Sequence, residues 1–345
     1  MTSIAYFCSG NYLNNGRSTL LFSGLSDHFK VEAFSLNLKD ILRFFKHRNS
    51  FTVIFLDNRK ATLTGFLMYP WISNKIIIQD VRELYTLKEA KSIINFIGTC
   101  FEGIMMRLAN IVIVANKWRR TETAKIWGVK CPILVYENIR FLPNNSKNLK
   151  SVAFESHSFL RNLLKDDHRT NFVLTSGFSL ERDNDRLLEV FSKRQDTTNL
   201  FFIGPNTKDD MLFFEKFIRD NEVSNIYHLD PVNIIELRGL LKYMQIGLVI
   251  YSKKNLNNRY CASGKAFEFM EAGLPILTSD NIPLLYITRK YNAGITTNNL
   301  LHGIDEVIER IAEFRENLNT IDYQNLVFNY KKTFFSEIAE FINNG

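Results

Sequence analysis

The sequence has few of the residues that tie a protein to an oxidising compartment or to a metal. Its 345 residues include four cysteines, and no two of them form a Cys-x-x-Cys pair or a zinc-ligand spacing. Scattered cysteines of this kind are typical of a reducing compartment. The six histidines also lack the spacing of a zinc site. We therefore expect neither a disulfide framework nor a bound metal.

Long hydrophobic runs are missing as well. The N-terminal residues MTSIAYFCSGN have no basic region before their short apolar run, which argues against a signal peptide. No apolar run approaches the roughly 18 residues that a membrane-spanning helix needs. We expect a cytoplasmic protein whose contact with the inner face of the plasma membrane is at most peripheral.

Acidic residues are outnumbered by basic ones, 36 to 43, and the formal net charge is +7. A basic excess suits an anionic partner, such as a phosphate-bearing substrate, an acidic membrane surface or a nucleic acid. The sequence has no recognised nucleic-acid-binding module, so we expect no nucleic-acid partner. The chain is 46% hydrophobic, and at this length that is enough core for two domains.

Short β-branched and aromatic runs alternate with helical patterns along the chain. Continuous apolar strands separated by helices predict parallel sheets that are covered on both faces. Two successive sets of such strands predict two doubly wound α/β lobes. The predicted strands begin at Ile4, Val31, Thr52, Lys75, Ile111, Ile133, Phe172, Leu200, Asn225, Ile246 and Pro275.

Two further segments divide the chain. Arg140–Ser151 is polar, contains one proline and has no periodicity, which predicts a linker. From about Asp322 to Asn343, aromatic residues recur at helical spacing and predict a last helix that returns to the first lobe. We accordingly predict an N-terminal lobe over residues 1–145, a second lobe over 146–322 and a C-terminal helix over 323–345.

The most informative stretch is SGKAFEFMEAGLPILTSD, which spans Ser263–Asp280. Gly264 precedes a short helix, and the unpaired N–H groups and positive dipole end of a helix form an anion site. Lys265 adds a full charge there, and Glu268 lies one turn later on the same side. Ligands of open α/β sheets bind outside the carboxyl ends of the strands, so the pattern predicts a phosphate-bearing ligand. An exposed ion pair on an ordinary helix is the alternative.

The segment GKAFEFMEAGLPILTSD resembles the signature of family 4 glycosyltransferases, which have the GT-B fold of two Rossmann-like lobes facing a cleft. Neighbouring segments agree in order. FVLTSGFSLERDNDRLLEVF resembles the strand, glycine and helix that open the donor lobe, and NIYHLDPVNIIELRGLLKYMQIGLVIY resembles the elements before the signature. The resemblance covers most of the chain and is strongest from about Phe172 to Gly294. It implies a nucleotide-diphosphate sugar as donor and retention of the anomeric configuration.

In that family, two glutamates eight positions apart mark the donor site. The second matches Glu268, which the resemblance assigns to the ribose hydroxyls of the nucleotide. The position of the first is Tyr260 in this chain, so the sequence departs from the family where the donor sugar is contacted. Lys265 matches a basic residue that some subfamilies use for the diphosphate.

The resemblance also assigns other residues to the donor site. Ser263 and Gly264 belong to the start of the signature, and Gly177 belongs to the loop after the first donor-lobe strand. The arginine and lysine that the family carries on that loop have no clean match here. Arg182 and Arg186 lie nearby, and neither is assigned.

Two segments of the first lobe bear candidate residues. In CSGNYLNNGRSTLLFSGL, Gly16 and Arg17 end a loop whose backbone N–H groups suit a phosphate, although a simple turn is equally compatible. In QDVRELY, Asp80 ends a buried strand, where a carboxylate can position or deprotonate an acceptor hydroxyl. Helix capping or a surface ion pair is the alternative. The Asp-Asn-Asp run Asp183–Asp185 imitates a metal motif, but it opens a helix, where aspartate is favoured as a cap.

Two basic, apolar segments suggest a membrane surface. LRFFKHR, Leu42–Arg48, and FLMYPWISNK, Phe66–Lys75, mix bulky apolar residues with basic ones. Such patches suit an acidic membrane that carries a lipid-linked acceptor. Packing of the aromatic residues in the core is the alternative.

These patterns together predict a glycosyltransferase of the hexosyltransferase type, with Lys265, Glu268 and Asp80 as catalytic residues and with no cofactor or metal. It would move a sugar from a nucleotide-diphosphate sugar to a glycan or lipid-linked acceptor. The resemblance alone suggests surface polysaccharide or lipooligosaccharide synthesis. Two alternatives stay open: a sugar-nucleotide 2-epimerase of the same fold, and a non-catalytic subunit of a glycosyltransferase complex, which Tyr260 favours.

Overall fold

A computed structural model describes residues 2–14, 16–90, 92–139, 160, 164 and 168–344. Contacts divide the chain into a first unit, Met1–Arg140 with Gln324–Gly345, and a second unit, Phe141–Tyr323. The predicted linker Arg140–Ser151 and the predicted boundary at residue 145 lie outside the described residues.

The first unit contains a six-stranded parallel sheet with the spatial order β2-β1-β3-β4-β5-β6. The strands are β1 (Ser3–Cys8), β2 (Lys30–Ser35), β3 (Val53–Asp57), β4 (Ile76–Val81), β5 (Ile111–Val114) and β6 (Ile133–Val135). Strand order reverses between β1 and β3, which makes the gap between their carboxyl ends a topological switch point, where doubly wound sheets bind ligands.

Helices cover both faces of this sheet. They are α1 (Gly16–Ser26), α2 (Leu38–His47), α3 (Asn58–Ile72), α4 (Ile93–Leu108), α5 (Lys117–Trp127) and the C-terminal helix α14 (Tyr323–Asn344). Alternate strand residues point to opposite faces. Ile4 and Tyr6 therefore pack in the core formed with α1 and α14, whereas Ala5 and Phe7 pack in the core formed with α2 to α5.

The C-terminal helix is fixed to the edge strand β6 by one side chain. The hydroxyl of Tyr330 donates a hydrogen bond to the carbonyl of Val135 at 2.8 Å and accepts one from the amide of Glu137 at 2.6 Å. Phe334 and Phe335 on the same helix are buried in the first core. The prediction that the last helix returns to the first lobe is therefore confirmed.

The second unit contains another six-stranded parallel sheet, with the order β12-β11-β10-β7-β8-β9. The strands are β7 (Thr170–Leu174), β8 (Thr198–Ile203), β9 (Ile226–Leu229), β10 (Ile246–Val249), β11 (Ile276–Ser279) and β12 (Gly294–Thr297). All the strands predicted from the sequence are present, and β12 is an additional one. The switch point of this sheet lies between β7 and β10.

Each strand of this unit is followed by a helix, and β10 and β12 are each followed by two. They are α6 (Asp185–Phe191), α7 (Lys208–Asp220), α8 (Ile234–Leu241), α9 (Leu256–Arg259), α10 (Gly264–Glu271), α11 (Ile282–Tyr291), α12 (Leu300–Glu309) and α13 (Ile311–Asn319). The helix and following strand predicted for the Ser263–Asp280 stretch are α10 and β11. Across residues 2–14, 16–90, 92–139 and 168–344, we find no helix with the length and hydropathy needed to span a bilayer.

A glycine brings α10 unusually close to the sheet. A Cβ atom on Gly247 of β10 would lie 2.4 Å from the ring of Phe269, so only glycine permits this contact. Phe269 is completely buried. The first turn of α10 is thereby held at the carboxyl end of β10, next to the switch point.

Candidate functional site

The first turn of α10 carries an unusual buried serine. Ser263 is the N-cap residue, but its side chain makes no capping hydrogen bond. The residue is only 5% exposed, and its hydroxyl has no hydrogen-bond partner among the described residues. A buried hydroxyl without a partner is costly, and such groups are rare in folded proteins. The hydroxyl is therefore available to a ligand at this helix end.

Lys265 and Glu268 form an ion pair on this turn. The Lys265 Nζ lies 2.8 Å from Glu268 Oε2. The Glu268 side chain is 3% exposed and that of Lys265 is 27% exposed, so the pair is not the exposed surface pair of the alternative interpretation. The ammonium has three donors, so it can keep Glu268 and still donate to an anion that arrives from solvent.

The loop after β7 lies across the switch point from β10. Thr175 directly follows this strand; it is 9% exposed, and its hydroxyl also has no hydrogen-bond partner among the described residues. Gly177 follows with a φ of +71°, and a Cβ there would lie 2.2 Å from the carbonyl oxygen of Pro205. Its amide donates to the carbonyl of Ile203 at 3.1 Å. Glycine is therefore required for the loops after β7 and β8 to lie against each other.

Tyr260 lies in the segment that joins β10 to α10. It caps the one-turn helix α9, its amide donates to the carbonyl of Leu256 at 2.9 Å, and its side chain is partly buried. Tyr260 thus lies three residues before Ser263, in the segment that leads into α10.

A buried polar network that the sequence did not predict holds this segment in place. The Asn258 side chain donates to Ser252 Oγ at 3.0 Å, and Ser252 Oγ donates to the carbonyl of Glu181 at 2.9 Å. The Asn281 amide group donates to the carbonyl of Asn258 at 2.9 Å. The sequence analysis missed this network; the asparagine-rich run NLNNR, residues 255–259, is a signal that could have indicated it.

The two arginines left unassigned have different surroundings. The Arg182 guanidinium lies 5.0 Å from the centroid of the Tyr251 ring. Arg186 is exposed and donates to the carbonyl of Asn298 at 3.2 Å. Asp183 pairs with Lys254 and has left-handed backbone, and Asn184 is the residue that caps α6.

The first unit brings Gly16, Arg17 and Asp80 together at the carboxyl end of its sheet. Gly16 is the first residue of α1. The Arg17 guanidinium donates to both oxygens of Asp80, at 2.9 and 2.6 Å, and to the carbonyl of Tyr136 at 2.6 Å. Asp80 is fully buried and Arg17 is 5% exposed. Arg17 and Asp80 therefore form an ion pair with each other. The sequence analysis had instead treated Arg17 as a cation for a phosphate and Asp80 as a base for an acceptor hydroxyl.

Asp57 and Arg82 extend this network. Arg82 pairs with Asp57 and lies 3.6 Å from Asp80 Oδ2. The hydroxyl of Tyr6 donates to Asp57 Oδ2 at 2.6 Å. Burial, and then the Asp57 carboxylate, raise the pKa of Tyr6 well above its ordinary value. Two carboxylates and two guanidinium groups thus balance each other inside the first unit.

Sequence comparisons give no family for this chain: no protein-family model matches it, and no curated protein is significantly similar. Solved structures do match over the whole chain. HepE of Anabaena in complex with UDP-glucose matches with a TM-score of 0.68 at 14% identity, covering 100% of both chains. Sucrose-phosphate synthase from Thermosynechococcus elongatus matches with a TM-score of 0.66 at 12% identity, covering 100% of this chain and 98% of the other.

A third match is WaaG, a glycosyltransferase involved in lipopolysaccharide biosynthesis, with a TM-score of 0.62 at 13% identity over 100% of both chains. At these identities the similarity shows the fold. It is the GT-B fold of two Rossmann-like lobes, as the sequence predicted.

Proposed function

We propose that the chain is a glycosyltransferase that uses a nucleotide-diphosphate sugar as its donor. The observation that carries this proposal is the buried first turn of α10, where an unpartnered Ser263 hydroxyl stands beside Lys265 and Glu268. The same fold in HepE accommodates UDP-glucose, which supports a nucleotide sugar as the ligand class.

Each residue of this turn suits one part of the donor. The buried carboxylate of Glu268 can accept hydrogen bonds from both ribose hydroxyls, because it has two oxygens. Lys265, the Ser263 hydroxyl and the free amides of the helix start are donors, which suits the diphosphate. We propose that Thr175 and Gly177 line the donor from the loop after β7, and that Tyr260 contacts the donor sugar.

The chemistry follows from where charge develops. The bond from the anomeric carbon to the phosphate oxygen breaks, and the acceptor hydroxyl oxygen forms a new bond to that carbon. The leaving diphosphate gains negative charge, which Lys265 and the positive end of α10 stabilise. We propose retention of configuration, with the acceptor arriving on the leaving-group face, where the departing phosphate oxygen receives its proton.

We propose that Gly16, Arg17 and Asp80 of the first unit have a supporting role. Asp80 is held by Arg17 and lies near Arg82. We propose that this network positions the start of α1, at Gly16, and that Asp80 acts on the reaction through that helix. We propose that the acceptor is a glycan or a lipid-linked sugar of surface polysaccharide or lipooligosaccharide synthesis. The transfer would take place in the cytoplasm, at a peripheral contact with the membrane.

Calorimetry with uridine, adenosine and guanosine diphosphates, and with the bare nucleosides, tests the donor site. Lys265→Ala should weaken diphosphate binding more than nucleoside binding, since a charge-assisted hydrogen bond is worth about 1.5–3 kcal/mol. Lys253→Ala is the matched control, because Lys253 also pairs with a carboxylate, that of Asp280, but is 51% exposed. Equal losses for diphosphate and nucleoside, or no binding by the wild type, would contradict the proposal.

Product analysis separates the reaction classes. With an acceptor lipid present, a transferase releases nucleoside diphosphate in step with glycosylated acceptor. An epimerase changes the sugar without acceptor, and a binding subunit does neither. Activity should survive a chelator, because donor stabilisation is assigned to Lys265 and α10 and not to a metal. Loss of activity with chelator that magnesium or manganese restores would remove that part of the proposal.

A further inference from the structure

The outward sides of α2, α3 and α4 carry a set of exposed apolar side chains. Leu63, Leu67 and Trp71 are spaced four residues apart on α3, and Ile93 and Ile97 have the same spacing on α4. Ile93 and Ile94 are 79% and 81% exposed, and Trp71 is 53% exposed. We call the whole set the outer helical face; its residues are Leu38, Leu42, Leu63, Leu67, Trp71, Ile93, Ile94, Phe96, Ile97 and Ile104.

The three helices form one continuous layer. The rings of Phe45 on α2 and Trp71 on α3 are 5.6 Å apart, and those of Phe66 on α3 and Phe101 on α4 are 4.5 Å apart. The opposite sides of the helices pack on the first sheet through Phe44, Met68 and Met105. The outer helical face is therefore a single surface that the core of its own unit does not use, and exposed apolar surface of this extent marks an interaction site.

The exposed charge on these three helices is mainly positive, although Glu32 of the neighbouring strand β2 is 43% exposed and lies 3.7 Å from Arg43 of α2. Lys39, Lys46 and Lys60 are exposed and have no carboxylate partner in the parts of the chain that the structure describes. The acids of the three helices are Asp40, which pairs with Arg43 at 3.3 Å, and Glu102, which is buried and pairs with Arg59 at 3.1 Å. The partner of this face must therefore offer both apolar contact and negative charge.

We propose that the outer helical face docks on an anionic lipid bilayer. A bilayer with acidic headgroups presents negative charge above a broad apolar layer, which matches exposed isoleucines and leucines bordered by lysines. A tryptophan beside the basic residues suits the headgroup level. The inference deepens the proposed membrane contact by assigning its surface, and it does not depend on transferase activity.

The surface differs from the one that the sequence indicated. Of the two segments Leu42–Arg48 and Phe66–Lys75, only Leu42, Leu67 and Trp71 supply exposed large apolar side chains, while Phe44 is buried. The start of α4 was not singled out, because SIINFIG resembles a core-forming run in the sequence.

Flotation of the whole chain with vesicles tests the proposal. The protein should float with vesicles of phosphatidylcholine and phosphatidylglycerol, not with phosphatidylcholine alone, and high salt should weaken binding. Ile94→Ser with Ile97→Ser should lower the partition coefficient by at least about tenfold. Replacing Lys39, Lys46 and Lys60 by glutamine should lower it about fivefold for each lysine. Bromine-labelled lipid tails should quench the fluorescence of Trp71, and Trp71→Phe should remove that quenching.

The matched control is Leu212→Ser on α7 with Leu301→Ser on α12 of the second unit, where both residues are exposed. Control and test variants should melt like the wild type, since only exposed side chains change. Failure to float with the anionic vesicles, or an equal loss in the control, would overturn the proposal. So would a dimer in light scattering that Ile94→Ser with Ile97→Ser dissociates, because a second copy would then occupy the face. Nucleotide affinity, measured without vesicles, should be unchanged in these variants, which keeps this test separate from that of the donor site.

Discussion

Arg17 and Asp80 are 63 residues apart in the chain and form a buried two-point ion pair, with donor–acceptor distances of 2.9 and 2.6 Å. Arg17 belongs to the first turn of α1 and Asp80 to the end of β4, so the pair fastens the helix to the sheet. A buried pair adds little net stability over an apolar pair, but removal of one partner leaves the other charge uncompensated.

Asp80→Asn should therefore lower the free energy of unfolding by about 3–5 kcal/mol. Urea denaturation measures it. The matched control is Asp305→Asn, which removes a half-exposed partner of Arg194 and should change stability by less than about 1 kcal/mol. If Asp80→Asn leaves stability intact and abolishes transfer, Asp80 contacts the reacting groups directly and the supporting role is wrong.

Glu102 should make part of the stability depend on pH. Burial raises its pKa from 4.5 to about 7, against the opposing effect of Arg59. Between these values the folded chain binds more protons than the unfolded chain, so this contribution to stability is full at low pH and is lost as the pH rises towards 7. Relative to the wild type, Glu102→Gln should gain stability over that window and then stay level.

Urea denaturation across the pH series measures this difference. Glu215→Gln, an exposed change on α7, serves as the control and should follow the wild type at every pH. A Glu102→Gln curve parallel to that of the wild type would mean that Glu102 stays ionised through its pair with Arg59.

The sheets were predictable because most strands have a recognisable local sequence pattern. IAYFC and LFFIG are short, continuous apolar runs, and the structure buries them on both faces in β1 and β8. The strand β12 was missed because GITT has one fully apolar side chain and begins with a glycine. Gly294 has a φ of +152°, and a Cβ there would lie 1.9 Å from the carbonyl oxygen of Ile276. That requirement comes from the neighbouring strand, which a local pattern does not contain.

The candidate site was also predictable only where its pattern is local in the sequence. The spacing of Lys265 and Glu268 is a property of one helix turn, so the sequence indicated their contact. The burial of Glu268 and the unpartnered state of Ser263 depend on how α10 packs over Gly247. Arg17 and Asp80 were assigned separate roles, because nothing local to either residue indicates that the fold pairs them.

The Ser263 hydroxyl should lower the stability of the unliganded protein and raise its affinity for a diphosphate. Ser263→Ala removes a buried group that has no partner, so the free energy of unfolding should stay level or rise by about 1 kcal/mol. Diphosphate affinity should fall. The matched control is Ser279→Ala, because Ser279 Oγ accepts from the Tyr251 amide at 2.9 Å and donates to Asn281 at 2.7 Å. That change should lower stability instead. Unchanged diphosphate affinity in Ser263→Ala would exclude the hydroxyl from the site.

Glu268 and Tyr260 should act on different parts of the donor. Glu268→Gln should weaken all donors of one nucleotide alike, since the ribose is common to them. Tyr260→Ala should instead change the ranking of donor sugars that carry the same nucleotide, because a phenol stacks on a sugar face and offers one hydroxyl, where a carboxylate accepts two hydrogen bonds. A site built this way should select less sharply among hydroxyl patterns, or favour a sugar with an apolar patch, such as a deoxy sugar. Affinities for a panel of sugars on one nucleotide, measured by calorimetry for the wild type and both variants, test the assignment.

Tyr260→Phe separates stacking from the hydroxyl. This variant should keep the preference for an apolar sugar face and lose only the contribution of one hydrogen bond, about 1 kcal/mol. A ranking that stays fixed in Tyr260→Ala while overall affinity drops would make Tyr260 a packing residue and move the sugar away from the segment before α10.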